Sequence, residues 1–122
     1  MSEREKPFVA VVCAVPLLGE ALSDALEGVA ECTVVPAREP DLGGLLRSLQ
    51  PNAIICDDEE EAESSAVYAR FARIPVVHVS LRTHRLRVLD DNRWHSVDDL
   101  EATPEGVRNL VAAEIYGRGA LR

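Results

Sequence analysis

Four short apolar runs recur along the first 81 residues of the 122-residue chain, and a stretch with helical spacing separates each run from the next. The first run, FVAVVCAV, is apolar throughout, which is typical of a strand covered on both faces in a parallel sheet. Alternation of strands and helices predicts parallel strands joined by right-handed crossovers, with helices on both faces of the sheet. The predicted strands cover residues 8–15, 32–35, 53–56 and 74–81, and the intervening helices carry their apolar residues over 17–26, 42–49 and 62–71.

The pattern changes after the fourth predicted strand. Only three residues separate this strand from the run RLRVL at 85–89. Because three residues cannot form a crossover helix, we expect these two strands to be antiparallel neighbours. A second turn at 90–92 contains Asp and Asn, which tolerate the left-handed conformation, and it predicts a returning strand at 93–97. A Thr-Pro-Glu sequence then begins a final helix that closes at Gly117.

Two short motifs coincide with the ends of the first and third predicted strands. The first is VVCAVPLL at 11–18, and the second is PNAIICD at 51–57. In order and spacing they resemble receiver domains of two-component response regulators, which commonly read apolar-apolar-Asp-Asp-x-Pro-Leu-Leu at the first motif and end the second on a phospho-accepting aspartate. On this resemblance Asp57 takes the phospho-acceptor position, and Ser80 takes the Ser/Thr position of the family.

The resemblance implies a fold class for the whole chain. It implies one α/β domain over residues 1–122, with three layers and a mostly parallel sheet of the flavodoxin or receiver type. An antiparallel C-terminal hairpin and a final helix would complete this domain. Residues 1–6 and 118–122 are predicted to fray, because chain termini without anchoring contacts are poorly ordered.

Two departures from the receiver pattern bear on function. The family's metal-binding acid pair falls on Cys13 and Ala14, and neither offers the oxygen ligands that Mg²⁺ requires. The lysine of the family's fifth strand has no clear counterpart, since Arg85 and Arg87 lie near it but out of place. The resemblance therefore implies a degenerate or pseudo-receiver: a non-catalytic domain of signal transduction that regulates by protein interaction and needs no cofactor.

Two other functions are also compatible with the sequence. One is an atypical receiver in which Asp57 accepts phosphate, with Asp58 or Glu59 as substitute Mg²⁺ ligands. The other is a small-molecule sensor or enzyme, because ligands of open α/β sheets bind at the carboxyl ends of the strands. Its cleft would lie near Cys13, Asp57 and Ser80.

The acids after the third strand also have a purely structural interpretation. Asp57 would cap the following helix, and the rest of the acidic run 57–61 would complement the positive end of the helix dipole.

Charge and apolar patterning limit the classes of partner. The formal net charge of −8 argues against a broad nucleic-acid surface and against an anionic membrane surface. No secretory signal is recognisable, and no apolar run is long enough to span a bilayer, so we expect a soluble, cytoplasmic protein.

Cysteine and histidine spacing predicts no metal site. The three cysteines include no CxxC pair, and no Cys/His spacing suits zinc. Buried, reduced thiols are the favoured interpretation, although Cys13 and Cys56 lie on adjacent predicted strands and an oxidation-sensitive pair is the alternative. His78 alternates with valines and is expected to be a core residue.

The C-terminal hairpin is the predicted interface. Trp94, the single tryptophan, either anchors a partner or covers the hairpin's own core. Arg85 and Arg87 belong to a small basic cluster that would meet an acidic surface, such as the acidic run 57–61 of a second copy. We therefore expect a homodimer formed by the hairpin and the last helix, or another protein partner.

Overall fold

A computed structural model describes residues 7–117 of the chain, so the predicted fraying at 1–6 and 118–122 lies outside the described residues. The strands are β1 (Phe8–Cys13), β2 (Glu31–Pro36), β3 (Ala53–Cys56), β4 (Val76–Ser80), β5 (Arg85–Asp90) and β6 (Arg93–Val97). The helices are α1 (Pro16–Ala25), α2 (Leu42–Leu49), α3 (Glu59–Ala72) and α4 (Pro104–Ala112), and a π-helical turn (Ala113–Gly117) continues α4. None of the helices within residues 7–117 is long and apolar enough to cross a membrane.

All six strands belong to one mixed sheet in the order β2-β1-β3-β4-β5-β6. Strands β1 to β4 run parallel, whereas β5 is antiparallel to β4 and β6 is antiparallel to β5. The prediction of a flavodoxin or receiver type of sheet is therefore wrong, because that type has five parallel strands. The physical cause is the turn 81–84: it is too short to carry the chain back across the sheet, so the next strand must run in the opposite direction.

The core lies on both faces of the sheet, because successive strand residues point to opposite sides. On one face, side chains such as Val9, Val11 and Ile55 pack against Leu22 of α1, against Leu26 directly after this helix, and against α4. On the other face, α2 and α3 cover a second cluster that consists of Ala10, Val12, Val35, Leu42, Leu46, Ile54, Cys56, Ala62, Ala66, Ala69, Val76 and Leu89. The helices therefore form an outer layer on each side of the sheet.

Three of the four helices begin at a side-chain cap. Asp41 accepts a hydrogen bond from the Gly44 N–H at 3.2 Å, and Thr103 accepts one from the Gly106 N–H at 3.0 Å. Asp58 caps α3 in the same manner. Helix α1 differs, because its N-cap residue is Val15 and makes no side-chain cap bond. Helix α1 thus begins without a cap from the side chain of its own N-cap residue.

Candidate functional site

The carboxylate of Asp57, directly after β3, binds the turn that leads into α1. Its Oδ1 accepts a hydrogen bond from the Ala14 N–H at 2.8 Å, and its Oδ2 accepts one from the Val15 N–H at 3.1 Å. The register of β1 and β3 pairs Val12 with Cys56, so Asp57 comes level with the turn that leads into α1. Both carboxylate oxygens are engaged by backbone N–H groups, and Asp57 fastens the β1–α1 turn to the end of β3.

The two positions that replace the receiver acid pair have different roles here. Ala14 contributes its backbone N–H to Asp57. Cys13 is buried, and this burial, followed by the nearby Asp57 carboxylate, raises the pKa of its thiol to about 12. A thiol with such a pKa is protonated at neutral pH and is a poor nucleophile and metal ligand.

The cap of α3 is Asp58. Its Oδ2 accepts hydrogen bonds from the N–H groups of Glu60 and Glu61 at 3.1 and 3.2 Å. The structural interpretation of the sequence makes Asp57 the cap of this helix, but the cap is the next residue, Asp58. Glu59, Glu60 and Glu61 occupy the first turn of α3, where negative charge complements the helix dipole.

A second carboxylate, Glu61, holds another loop at the same end of the sheet. Glu61 is only 8 % exposed, and its Oε2 accepts a hydrogen bond from the Arg38 N–H at 2.8 Å. Arg38 has a φ of 67°, so this bond stabilises a left-handed residue in the β2–α2 loop. This role of Glu61 is not predicted from the sequence, although Glu61 stands at helical spacing with the buried Ser65 and Ala69, a spacing that puts an acid on the inner face of α3.

A surface cleft of about 540 Å³ opens beside these loops. Neither Asp57 nor Ser80 lines it, so the three residues of the predicted cleft do not come together there. Within residues 7–117, no group of three or more His, Cys, Asp or Glu side chains converges to hold a metal ion. The residues that line the cleft are Cys13, Ala14, Pro16, Val34, Pro36, Ala37, Arg38 and Asp58.

Ser80 shapes the turn between β4 and β5. Its Oγ accepts a hydrogen bond from the Thr83 N–H at 3.2 Å, and its backbone carbonyl accepts one from the His84 N–H at 2.8 Å. His84 has a φ of 58°, which allows the chain to reverse. The hydroxyl at the predicted switch position is therefore part of the turn that sets the direction of β5.

A ladder of side chains crosses β4, β5 and β6. His78 is buried, and its Nδ1 lies 3.3 Å from Arg87 Nε and 3.2 Å from Arg87 Nη2. The Arg87 guanidinium in turn lies 4.5 Å above the ring centre of Trp94, within cation–π range. Burial, followed by the Arg87 charge, lowers the pKa of His78, so the ring stays neutral and accepts from Arg87.

The three predicted interface residues thus differ in their surroundings. Arg87 and Trp94 are half-buried and interact within the chain, and Trp94 packs against the α2/α3 core. Arg85 is exposed and forms a 3.6 Å ion pair with Asp98. Such exposed pairs contribute little to stability.

The cysteines are free thiols that are separated by the sheet. Cys13 belongs to the core under α1 and α4, whereas Cys56 belongs to the core under α2 and α3. Cys56 lies 3.4 Å from the Ser65 hydroxyl, and burial raises its pKa to about 12. Although β1 and β3 are neighbours, Cys13 and Cys56 face opposite sides of the sheet and are not placed to form a disulfide. Cys32, on the edge strand β2, is half-buried.

No protein-family model matches the chain, and neither a curated protein nor a solved structure matches it. The resemblance to receivers therefore depends on the two short motifs alone and stays a prediction.

Proposed function

We propose that the chain is a non-catalytic regulatory domain of signal transduction that acts by binding protein, and that Asp57 serves it as a structural residue. The observation that carries this proposal is the double hydrogen bond from the Ala14 and Val15 N–H groups to the Asp57 carboxylate. Both oxygens hold the β1–α1 turn, so a phosphoryl group on either of them would disturb a hydrogen bond on which this turn depends.

Energetics support a structural role for Asp57. A hydrogen bond to a charged group contributes about 1.5–3 kcal/mol, and phosphorylation of Asp57 would disturb two of them. A metal ion is the usual means of neutralising charge during phosphoryl transfer. The side chains at positions 13 and 14, a protonated thiol and a methyl group, offer no oxygen to such an ion.

The surface supports a protein partner. Val67 and Phe71, one turn apart on α3, are 69 % and 83 % exposed, and large apolar side chains on a surface mark interaction sites when they occur in patches. The net charge of −8 disfavours nucleic acid and anionic membranes as partners.

Incubation with acetyl phosphate and Mg²⁺, followed by intact-mass measurement, tests the proposal. We expect the mass to stay that of the unmodified chain. Stoichiometric phosphorylation that is abolished in an Asp57→Asn variant and kept in an Asp58→Asn variant would establish an atypical receiver instead.

One observation favours a second candidate, a small-molecule sensor. The cleft of about 540 Å³ places Arg38 and Asp58 beside the apolar Val34 and Pro16 at the strand ends, where open α/β sheets bind ligands. A small-molecule fragment screen by NMR tests this candidate: it requires shifts of the Ala37 and Arg38 amides that disappear in a Val34→Trp variant, which fills the cleft.

A further inference from the structure

Helix α3 leaves two large apolar side chains in water. Val67 is 69 % exposed and Phe71 is 83 % exposed, and their spacing of one helical turn puts them side by side. The opposite face of α3 packs Ala62, Ala66 and Ala69 onto the sheet, so the helix is already anchored without the exposed pair. Val67 and Phe71 therefore add nothing to the core and form an apolar surface.

Charges flank this apolar surface in two separate groups. Glu59, Glu60 and Glu63 lie toward the beginning of α3, and Arg70 and Arg73 lie at its end. All five side chains are exposed, and none of them forms an ion pair with another residue in the range 7–117. The helix thus presents an acidic half, an apolar middle and a basic end.

We propose that a second copy of the chain binds this face, with the two α3 helices packed antiparallel about a two-fold axis beside Val67. In that arrangement, residues that lie equally far before and after Val67 face each other. Glu63, four residues before Val67, therefore meets Arg70 and Phe71 of the second copy, which lie three and four residues after Val67. Glu60 then lies next to the second copy's Arg73. Each copy covers the exposed aromatic ring of the other.

The order of charges selects this occupant. An antiparallel copy of α3 brings opposite charges together at both ends of the contact, whereas a parallel copy would bring like charges together. A contact of this kind is isologous, the commonest symmetry of soluble oligomers. The 14 residues of α3 provide a contact about 21 Å long.

This surface differs from the dimer surface that the sequence predicts. The apolar residues of α4, among them Val107, Leu110 and Val111, pack on the sheet and are not available to a partner. The inference depends on the proposed function as a protein-interaction domain, and it specifies both the partner and the surface.

Sedimentation equilibrium between about 1 μM and 1 mM protein measures the self-association directly. We expect the mass to rise from 13.3 kDa to twice that value. Phe71→Ser, or Val67→Ser as a second variant, should weaken the dimer by at least about tenfold, because apolar anchors dominate such contacts. Leu17→Ser, which removes an apolar side chain on α1 whose exposure, 75 %, lies between those of Val67 and Phe71, should leave the dimer unchanged.

A charge exchange tests the antiparallel orientation. Glu63→Arg and Arg70→Glu should each weaken the dimer by about tenfold, since each substitution acts twice across the two-fold axis. The double variant should recover most of the affinity. A monomer at every concentration, or a double variant weaker than both single ones, would overturn the inference. Neither result alters the phosphorylation experiment, so a failure here is distinct from a failure of the proposed function.

Discussion

Asp57 connects segments of the chain that are more than 40 residues apart in sequence, since its partners are the N–H groups of Ala14 and Val15. A hydrogen bond between a carboxylate and a distant backbone N–H leaves no periodic pattern in a sequence. The sequence therefore places Asp57 correctly at the end of β3 but assigns it the wrong structural partner. Only the register between β1 and β3 determines which turn the carboxylate reaches.

Removal of the Asp57 carboxylate tests its structural role. Asp57→Ala should lower the free energy of unfolding by about 2 kcal/mol, because two N–H groups lose a charged acceptor. Urea unfolding followed by circular dichroism measures the change. Asp24→Ala, which alters an exposed acid on α1, is the matched control and should change the stability by less than about 0.5 kcal/mol. Equal stability of Asp57→Ala and the wild type would show that the two bonds contribute nothing.

His78 makes the stability of the chain depend on pH. Its pKa in the folded chain is lowered from 6.5, first by burial and then by Arg87, although Glu59, Asp58 and Asp57 oppose the shift. The unfolded chain therefore binds a proton more readily, and stability should fall as the pH drops below about 6.5. Protonation also ends the acceptor role of Nδ1 toward Arg87.

Urea unfolding at pH 7.5 and pH 5.5 measures this dependence. His78→Gln keeps an acceptor for Arg87 but does not titrate, so its loss of stability between the two pH values should be smaller than that of the wild type. An equal loss of stability in the wild type and in His78→Gln would mean that the carboxylates cause the pH dependence.

At the scale of elements, local patterns predict the strands better than they predict the sheet. The sequence gives the bounds of all six strands to within two residues, because apolar alternation and turn residues are local signals. The direction of β5 depends on the length of one turn. The flavodoxin assignment is wrong because the motifs at 11–18 and 51–57 describe only the first three strands, and a resemblance there does not determine the direction of the strands after β4.

The adjacent glycines Gly43 and Gly44 in α2 should respond differently to alanine. A Cβ at Gly43 meets only the end of the flexible Arg47 side chain at 3.8 Å, whereas a Cβ at Gly44 would collide with the Asp41 carboxylate. Gly43→Ala should therefore raise the free energy of unfolding by about 0.5–1 kcal/mol, since alanine favours a helix. Gly44→Ala should lower it, because the Asp41 cap must move. Thermal unfolding of the two variants provides the comparison, and a gain for Gly44→Ala would contradict the role of the cap.

At the scale of the whole molecule, the sheet divides the core into two halves that contain different thiols. Cys13 lies in one half and Cys56 in the other, and both thiols have a pKa of about 12, so neither should react until the fold opens. Cys32 on the edge strand is half-buried, and burial also raises the pKa of its thiol. We therefore expect Cys32 to react slowly, but before Cys13 and Cys56.

Labelling with a thiol-specific disulfide reagent should show one earlier phase that is lost in Cys32→Ser. The two later phases should slow together when a stabilising substitution such as Gly43→Ala is added, because both then depend on opening of the same fold. Rapid labelling of Cys13 alone would mean that the end of β1 opens independently of the two cores, and the β1–α1 turn would then not be held by Asp57 as the structure indicates.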